Sequence, residues 1–498
     1  MSVASRTVSA PLEKAEHAAS FSLKLLLCLF LLSLPMVNPW VRGDGVGYYA
    51  YVRSLLINHD LRFEDEWKSG NPSFVMNRVD ESGHLRADQY TRTGYVANHF
   101  SVGPSILWSP FLVAVHWVVL GLNHFGAHIV ANGYSRPYVI AMALATALYG
   151  FLGLWLSFDL ARKYFEERWA LLATLGIWFA SSLPVYMYFN PSWSHAHSAF
   201  AVALFLWYWH RTRGARTSKQ WLTLGLMSGL MLDVYYPNAL FLLVPFAEAL
   251  QDYRRALLDR KSGAAVRQLL LQHAAYAVAV IFAFLPTLIT RWIVYGHPLQ
   301  FGVYSTMHWH WTLPMLLQVL FSSDHGLLVW TPILIPAIAG LWFLRRQDPD
   351  IAWKLSLAAL AFYLVIAFYP NWDGLSSFGN RFFVSLTPLF VLGLAASLQR
   401  FGALFARSRT AVSAAGLIIG LLMLWNGGFI FQWGTHLIPA RGPISWQEMA
   451  RNQVTVVPVR LTNTLGTYLL RRKTLMERIE KEDIEQMRSR QRQESRSQ

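Results

Sequence analysis

The sequence predicts an all-α, polytopic integral membrane protein with about eleven transmembrane helices. Of its 498 residues, 54% are hydrophobic and 14% are charged, whereas soluble domains carry about 25% charged residues. Apolar runs long enough to cross a bilayer recur along the chain. The 21 Trp residues fit rings gathered at the two membrane–water interfaces. The single cysteine, Cys28, excludes an internal disulfide framework and a metal site built from cysteines.

Eleven apolar segments are the predicted spans, and they define the domain organisation. Residues 1–20 form a cytoplasmic N-terminal segment, 21–432 the transmembrane domain, and 433–498 a charged, partly helical tail whose end we expect to be disordered. No small-residue cleavage site follows the first apolar run, which we therefore interpret as an uncleaved span. The predicted spans are 21–40, 137–160, 169–189, 195–210, 220–235, 237–250, 270–290, 327–344, 351–369, 384–399 and 411–432.

Charge indicates whether a further apolar segment, 101–122, also crosses the membrane. If it does not cross, five short basic loops lie on the same side as the N-terminus, and lysine and arginine collect in cytoplasmic loops. If it crosses, all five loops lie on the opposite side. The sequence therefore favours an interfacial or re-entrant helix, with an ordinary span as the alternative. The basic loops lie within 162–168, 211–219, 254–267, 345–354 and 400–409.

This placement leaves three regions on the outer side of the membrane, namely the long first loop 41–136, the loop 291–326 and the short loop 370–383. The net charge of +15 is then explained by cytoplasmic loops and requires no nucleic acid. Because the inner loops are basic and otherwise plain, the chemistry is expected on the outer face.

The segment "RGDGVGYYAYVRSLL" (42–56) follows the first span directly. Its apolar residues recur at helical spacing and predict an amphipathic helix that lies on the membrane surface. Asp44 stands at the start of this helix, where the helix dipole favours a carboxylate. A helix N-cap is the simpler interpretation, but the two flanking glycines allow the backbone to approach a ligand closely. We therefore expect Asp44 to be functional, with Tyr48 and Tyr49 beside it.

Two further stretches carry candidate binding residues. "YVANHFSVGPSILWSPF" (95–111) places Asn98 and His99 at the head of the interfacial segment. "NPSWSHAHS" (190–198) contains His195 and His197, whose two-residue spacing does not put both on one helix face. A two-histidine metal site is therefore a weak signal, and a single histidine that points into a cavity, His195, is the better interpretation.

The glycine-rich, aromatic turn "NWDGLSSFGNRFF" (371–383) joins two predicted spans and contains Trp372, Asp373 and Arg381. An arginine at the end of a span usually has a partner, because its charge is expensive to bury. Its planar guanidinium suits a phosphate. The alternative is an arginine that extends to the lipid headgroups.

Several function classes are excluded. The chain contains no Walker loop, dinucleotide fingerprint, Ser-His-Asp signature or HExxH motif, so soluble nucleotides are not expected as substrates. Few charged residues lie within the predicted spans, which argues against an ion-coupled or proton-coupled transporter.

From residue 20 to about residue 400, the chain resembles the GT-C superfamily of polytopic glycosyltransferases that use lipid-phosphate sugars. The similarity is greatest to the bacterial branch related to protein O-mannosyltransferases and the lipid A aminoarabinose transferase. That family places an essential aspartate in a long outer loop after the first span, where this chain has Asp44, and "SVGPSILWSPF" resembles its second juxtamembrane helix. "YGHPLQFG", "LFSSDHGLLVWTP" and "WDGLSSFGNRFF" resemble its outer-loop stretches.

Two positions depart from the family pattern. The protein O-mannosyltransferases have an acidic pair where this chain has Asp44 followed by Gly45. Many bacterial members have an Arg-Pro pair where this chain has "YYPN" (235–238). Donor and acceptor contacts are therefore not carried over from those two places.

The resemblance implies an inverting glycosyltransferase of a bacterial inner membrane, which moves a sugar from a polyprenyl-phosphate donor to a lipid, glycan or protein acceptor at the outer face. Asp44 would be the general base, and Arg381 would bind the phosphate, with Arg53 and Arg291 as reserves. We also expect Tyr48, Tyr49 and Trp372 at the substrate, together with Asn98, His99 and His195. A groove formed by span faces and interfacial helices would hold the prenyl tail. No cofactor, catalytic metal or nucleic acid is expected.

Two rival functions share these features. A flippase of lipid-linked sugars would need the groove and the arginines but no general base. A polysaccharide polymerase or ligase would also use arginines and histidines of the outer loops. The sequence does not distinguish the sugar or the acceptor.

Overall fold

The computed structural model describes residues 9–214, 216–259 and 262–497. Part of the predicted N-terminal segment, residues 1–8, lies outside the described residues. So do two residues of the third basic loop, Arg260 and Lys261, and the last residue of the tail, Gln498.

The named secondary-structure elements of the described residues are all helices, which confirms the predicted all-α fold. Within the described ranges there is no β-strand, only two isolated bridges in the long loop. The first eleven α-helices are α1 Ser9–Ser33, α2 Asp44–Arg53, α3 Glu64–Lys68, α4 Pro72–Val75, α5 Gly103–His124, α6 Arg136–Ala161, α7 Glu167–Phe179, α8 His195–Thr212, α9 Ser218–Val234, α10 Leu243–Leu258 and α11 Gly263–Ala283. The remaining ten are α12 Leu285–Tyr295, α13 Leu316–Phe321, α14 Leu327–Trp330, α15 Leu334–Leu344, α16 Pro349–Phe368, α17 Thr387–Gly402, α18 Ser408–Gly434, α19 Trp446–Thr455, α20 Val457–Leu470 and α21 Arg472–Ser497.

Each of the eleven predicted spans coincides with helical structure, and the protein is a multi-pass membrane protein. Six helical segments among the described residues are long and apolar enough to cross a membrane. The other predicted spans correspond to shorter or interrupted helices, so the number eleven stays a prediction. The six are Gly103–His124, Arg136–Ala161, Gly263–Ala283, Pro349–Phe368, Arg381–Gly402 and Ser408–Gly434.

Small residues hold the helices of the bundle close together. A Cβ atom added to Gly340 of α15 would lie 1.6 Å from the carbonyl oxygen of Gly393 in α17. A Cβ on Gly225 of α9 would lie 2.6 Å from the carbonyl oxygen of Tyr276 in α11. Because lipid tails are as apolar as leucine side chains, such close backbone packing is a main source of helix association in membranes.

The helix α2 differs from the predicted surface helix. Every residue of α2 from Gly45 to Arg53 is buried, so both faces of the helix pack against protein. The backbone amide of Val52 donates a hydrogen bond to the hydroxyl of Ser105 in α5 at 2.9 Å, and the Tyr49 hydroxyl donates to the carbonyl of Gly133 at 2.5 Å. The long loop therefore folds around α2 and fixes it inside the molecule.

The helix α5 lies against only part of α6. The indole nitrogen of Trp108 donates to the Thr146 hydroxyl at 2.9 Å, while His116 lies 2.7 Å from the hydroxyl of Tyr138. The two helices are therefore antiparallel, and the start of α5 meets the middle of α6. These contacts do not test whether 101–122 crosses the membrane, so its assignment as an interfacial or re-entrant helix stays a prediction.

The C-terminal tail returns to the long loop. The 14 residues of α20 extend about 21 Å at 1.5 Å per residue, which is too short to cross a hydrocarbon core of about 30 Å. The Tyr468 hydroxyl of α20 donates to the carbonyl of Met36 at 2.7 Å. In α21, Asp483 pairs with Arg42 at 2.5 Å. The tail thus lies at the same end of the bundle as α2.

Candidate active site

The start of α2 is shaped by its two glycines. Gly43 has φ 53° and ψ −131°, a conformation that favours glycine, and Asp44 is the first residue of the helix rather than its cap. A Cβ on Gly45 would lie 2.0 Å from the hydroxyl oxygen of Ser192, and one on Gly43 would lie 3.3 Å from the ring of Trp193. The sequence predicts that these glycines allow close approach of a ligand. They instead allow close approach of the segment 190–194.

Asp44 and Arg381 meet in the fold, although 337 residues separate them. A guanidinium nitrogen of Arg381 donates to the Asp44 carboxylate at 2.7 Å. The Asp44 side chain is 32% exposed and that of Arg381 is 10% exposed. The guanidinium also lies over the ring of Trp193, 4.5 Å from its centroid, and its Nε atom is buried without a hydrogen-bond partner.

These two residues form part of the wall of a cavity of about 450 Å³. Apart from them, every lining residue is uncharged or a histidine, and aromatic rings predominate. Such a cavity suits a ligand with one polar, charged part and an apolar or ring-shaped remainder. The lining residues are Asp44, Tyr48, Ser101, His195, Leu232, Tyr235, Tyr236, Pro237, Ala239, Phe284, Phe301, Tyr304, Ser305, Trp309, Val365, Ile366, Tyr369, Arg381 and Phe382.

The histidine that the sequence analysis preferred, His195, lines the same cavity. Its side chain is buried, and its Nδ1 atom has no hydrogen-bond partner. Its ring packs against Tyr186 and Tyr235, with centroids 4.7 and 5.7 Å apart. By contrast, His197 packs against Trp108 outside the cavity lining, so the structure does not bring the two histidines to one site.

The two reserve arginines are not among the lining residues and bind the long loop, although Arg291 also donates to the hydroxyl of the lining residue Tyr236 at 3.1 Å. Arg53 donates to the buried carboxylate of Glu66 at 2.8 Å and to a backbone carbonyl of the loop at 3.1 Å. Burial raises the pKa of Glu66, and the hydrogen bond from Arg53 opposes that shift. Arg291 donates to the carbonyl of Asn98 at 2.5 Å and to the Tyr51 hydroxyl at 2.8 Å.

Four other predicted residues also lie outside the lining of this cavity. Tyr49 is buried between α2 and α5. The Asn98 amide donates to the carbonyl of Gly47 at 2.9 Å. The carbonyl of Trp372 accepts a hydrogen bond from Asn380 at 2.9 Å. The fourth, His99, packs between Phe100 and Tyr304.

Two titratable groups of the long loop, His99 and Arg78, interact electrostatically with Asp44. Burial lowers the pKa of His99 to about 4, and the Asp44 carboxylate opposes this shift, so the ring is neutral at pH 7. Burial also lowers the pKa of Arg78, while Asp44 raises it. Burial raises the pKa of Tyr48, and Asp44 adds to the shift, so Tyr48 keeps its hydroxyl proton.

Sequence reasoning missed most of the aromatic wall. The sequence predicts no role for Trp193, which lies outside the lining but contacts the guanidinium of Arg381 with its ring. Tyr235 and Tyr236 line the cavity, and their motif "YYPN" differs from the family pattern, so no role follows from it. Tyr304 and Tyr369 had no local signal, because single tyrosines near span ends are common in membrane proteins.

A second cavity of about 830 Å³ is lined by Arg42, two residues before Asp44. It is predominantly apolar and is bounded by the ends of α1 and α7 and by α18, α20 and α21, with Arg42 at one side. Gly416, Gly420, Gly427 and Gly434 of α18 all line it, and a Cβ on any of them would meet open space. These glycines widen the cavity and make no helix contact.

One group of side chains among the described residues could hold a metal ion. Ligand atoms of Asp324, His325 and Asp373 lie within 4.8 Å of one another. A ring nitrogen of His325 also lies 3.0 Å from the backbone carbonyl of Asp373 and donates to it. Burial lowers the pKa of His325 to about 4, so the ring is neutral and could bind a cation. That no catalytic metal is needed stays a prediction.

Comparison with known proteins confirms the resemblance to the GT-C superfamily. A sequence model of the dolichyl-phosphate-mannose-protein mannosyltransferase family matches residues 138–262. The match supports a glycosyltransferase of the GT-C type. It spans α6 to α10 and includes neither Asp44 nor Arg381, so it does not test the roles predicted for these two residues.

The fold was also compared with solved structures. ArnT from Cupriavidus metallidurans in the apo state is similar over 84% of this chain and 72% of its own length, with 13% sequence identity and a TM-score of 0.45. None of the curated proteins compared with the chain matches it.

Proposed function

We propose that the protein transfers a sugar from a polyprenyl-phosphate donor to an acceptor hydroxyl at the outer face of the membrane. The observation that carries this proposal is the contact between Asp44 and Arg381 in the wall of the aromatic cavity. A base and a phosphate-binding cation are the two charged groups that such a transfer needs.

The reaction would proceed by direct displacement. Asp44 takes the proton of the acceptor hydroxyl while the acceptor oxygen forms a bond to the anomeric carbon. The bond from this carbon to the phosphate oxygen breaks, and the polyprenyl phosphate leaves with its negative charge next to Arg381. Attack on the face opposite to the leaving group inverts the anomeric centre.

The ion pair between Asp44 and Arg381 prepares the site for a donor. The arginine fork has five N–H donors, of which the buried Nε–H is without a partner. A donor phosphate would accept from the fork and weaken its hold on Asp44, whose carboxylate then becomes available to the acceptor. The aromatic rings of the cavity would hold the sugar.

The larger apolar cavity would hold the prenyl chain. Arg42, two residues before Asp44, lines this cavity. The glycines of α18 that line it have no side chains, which leaves room for a long apolar chain. Burial of such a chain contributes about 0.8 kcal/mol per CH₂ group.

A donor-consumption assay with the purified protein in detergent tests the proposal. A transferase consumes the lipid-linked sugar and releases polyprenyl phosphate, a flippase leaves the donor chemically intact, and a polymerase yields products with repeated units. Asp44→Asn should lower turnover by about 10²- to 10⁴-fold, roughly 3 to 5 kcal/mol. Donor affinity should not fall, because Arg381 stays in place and loses the carboxylate with which a donor phosphate competes. Thermal stability should fall, because the buried Arg381 loses its anionic partner.

The matched control is Asp88→Asn, because Asp88 is an exposed carboxylate of the same long loop that pairs with the exposed Arg86. This variant should retain normal transfer. Normal turnover in Asp44→Asn would show that the base is another group, and intact donor after prolonged incubation with the wild-type protein would overturn the transferase itself.

A further inference from the structure

The C-terminal helix α21 contains a buried carboxylate that the proposed reaction does not use. Glu480 is 5% exposed, in a helix whose other charged residues are mostly at the surface. Its carboxylate accepts hydrogen bonds from the side-chain amide of Asn71 at 2.9 and 3.1 Å and from the backbone amide of Ser73 at 2.6 Å. A buried carboxylate with this set of donors holds two segments of the chain in a fixed relation.

Asn71 connects this carboxylate to the start of α2. Its side-chain oxygen accepts a hydrogen bond from the backbone amide of Gly43 at 3.0 Å, while its amide group donates to Glu480. Gly43 precedes Asp44 and has the positive φ that turns the chain into α2. The orientation of the Gly43 peptide fixes the direction in which the Asp44 side chain leaves the backbone.

A second contact holds the residue on the other side of Gly43. Asp483 lies three residues after Glu480, on the same face of α21, and pairs with Arg42 at 2.5 Å. The backbone carbonyl of Arg42 also accepts from the indole nitrogen of Trp193 at 3.1 Å. One face of α21 therefore contacts the chain immediately before Asp44, once directly and once through Asn71.

We infer that Glu480 is a positioning residue of the transferase: through Asn71 it holds Gly43, and thereby sets the carboxylate of Asp44 for proton abstraction. This inference rests on the proposed function. The charged tail is then part of the active-site architecture, although Glu480 lies 436 positions after Asp44 in the sequence. A displacement of a reacting group by about 1 Å can lower a rate by about 10²-fold.

The test uses the full chain and four variants. Glu480→Gln removes the charge, and places an amide nitrogen opposite the Asn71 amide. We expect turnover to fall by about tenfold to a hundredfold, with the donor KM unchanged because Arg381 is untouched. The turnover of Asn71→Asp should fall at least as far as that of Glu480→Gln, because the carboxylate introduced at position 71 and that of Glu480 then face each other. The double variant Asn71→Asp/Glu480→Gln restores one donor and one acceptor and should recover most of the turnover.

Glu477→Gln is the matched control. Glu477 lies one turn earlier on α21 and is exposed, near Lys473 at 3.9 Å. Its substitution should leave kcat, KM and thermal stability unchanged.

Hydrogen exchange at the Gly43 amide gives a readout that does not depend on transfer. Loss of the Glu480 charge should accelerate exchange of a peptide covering 36–48, and the double variant should restore protection. Unchanged exchange and turnover in Glu480→Gln would overturn the positioning role, as would failure of the folded double variant to recover. Absence of transfer by the wild type, with the exchange pattern as expected, would instead refute the proposed function and leave the link from α21 to Gly43 in place.

Discussion

Arg381 is the residue on which the charge balance of the site depends. It is the one cation among the lining residues of the aromatic cavity that could neutralise a bound phosphate, and its guanidinium is held between Asp44 and the ring of Trp193. A lysine could pair with Asp44, but its ammonium group is a point charge without the planar fork. Arg381→Lys keeps the positive charge and loses the planar fork, whereas Arg381→Ala loses both. Comparing the two variants therefore separates the effect of the charge from that of the fork.

We expect both Arg381→Lys and Arg381→Ala to raise the KM for the donor, alanine more than lysine. A hydrogen bond to a charged group is typically worth about 1.5 to 3 kcal/mol, which corresponds to roughly tenfold to a hundredfold in affinity. Donor titration of the purified variants measures this effect. A donor KM equal to that of the wild type in Arg381→Ala would show that Arg381 serves the ion pair alone.

At the scale of single elements, α5 and α21 are the two helices whose roles the sequence left open. The helix α5 is apolar enough to be a span, yet it lies beside only half of α6. The helix α21 is charged enough to be a solvated tail, yet it is anchored to the long loop by Glu480 and Asp483. In both helices, the contacts with other elements are more informative than the composition.

Cysteine labelling tests the prediction that α5 does not cross the membrane. In a variant without Cys28, single cysteines at Ser82 and at His128 lie on either side of α5, and both positions are exposed. A membrane-impermeant thiol reagent added outside should label both, whereas a cysteine at Ser218 should stay unlabelled because it belongs to a basic loop. Labelling at Ser82 with protection at His128 would make α5 an ordinary span.

The attachment of α21 should depend on pH through His436. Its two ring nitrogens face carboxylates, Glu482 at 2.9 Å and Asp483 at 3.1 Å. Arg42 pairs with the other carboxylate oxygen of Asp483, and Arg478 lies 3.8 Å from Glu482. Burial lowers the pKa of His436, but the hydrogen bonds to the two carboxylates outweigh it, so the folded-state pKa is raised.

A raised pKa means that the stabilisation is fully present below the unfolded-state value of about 6.5 and is lost as the pH rises through the folded-state pKa. The difference in melting temperature between the wild type and His436→Asn should therefore be largest near pH 5.5 and should shrink above neutral pH. Two effects also compete at Asp483. Burial raises the pKa of its carboxyl, but the hydrogen bonds and charges of His436 and Arg42 outweigh burial and lower it. A difference that grows with pH would contradict this assignment.

At the scale of the whole molecule, Arg42 lines one cavity and Asp44, two residues later, lines the other. The smaller cavity offers the charged pair and aromatic rings, and the larger one offers apolar surface. A lipid with a phosphate and a sugar at one end requires this combination. The arrangement depends on α18, whose row of glycines leaves the larger cavity open.

Filling the larger cavity should discriminate between donors by chain length. Gly420→Leu introduces a side chain into open space and exchanges a poor helix former for a good one, so the protein should stay folded. We expect a higher KM for a long-chain polyprenyl donor and an unchanged KM for a short-chain analogue. The control is Gly466→Leu in α20, a position that also faces open space but does not line the cavity. Equal KM values for the long-chain donor in both variants would assign the prenyl chain to another surface.

The sequence by itself predicted the class of the protein and singled out the two charged residues of the proposed site. Runs of apolar residues are sufficient to predict membrane helices, because the bilayer demands length and low polarity from each segment separately. Asp44 and Arg381 could be singled out for a similar reason, since a charge at a span end is costly and conspicuous against an apolar background. The structure confirms that the fold is all-α, and it brings these two residues to 2.7 Å from each other.

Only the tertiary structure decided what those residues contact. Arg53 and Arg291 carry the same charge as Arg381, and their buried partners Glu66 and the carbonyl of Asn98 lie in the long loop. The aromatic wall, the glycines that pack on Ser192 and Trp193, and the connection from Glu480 to Gly43 are all contacts between distant parts of the chain. Sequence periodicity reports which face of a helix is apolar, but it does not report which helix or loop will cover that face. That choice depends on the packing of the whole bundle, where volume, hydrogen bonds and charge must be satisfied together.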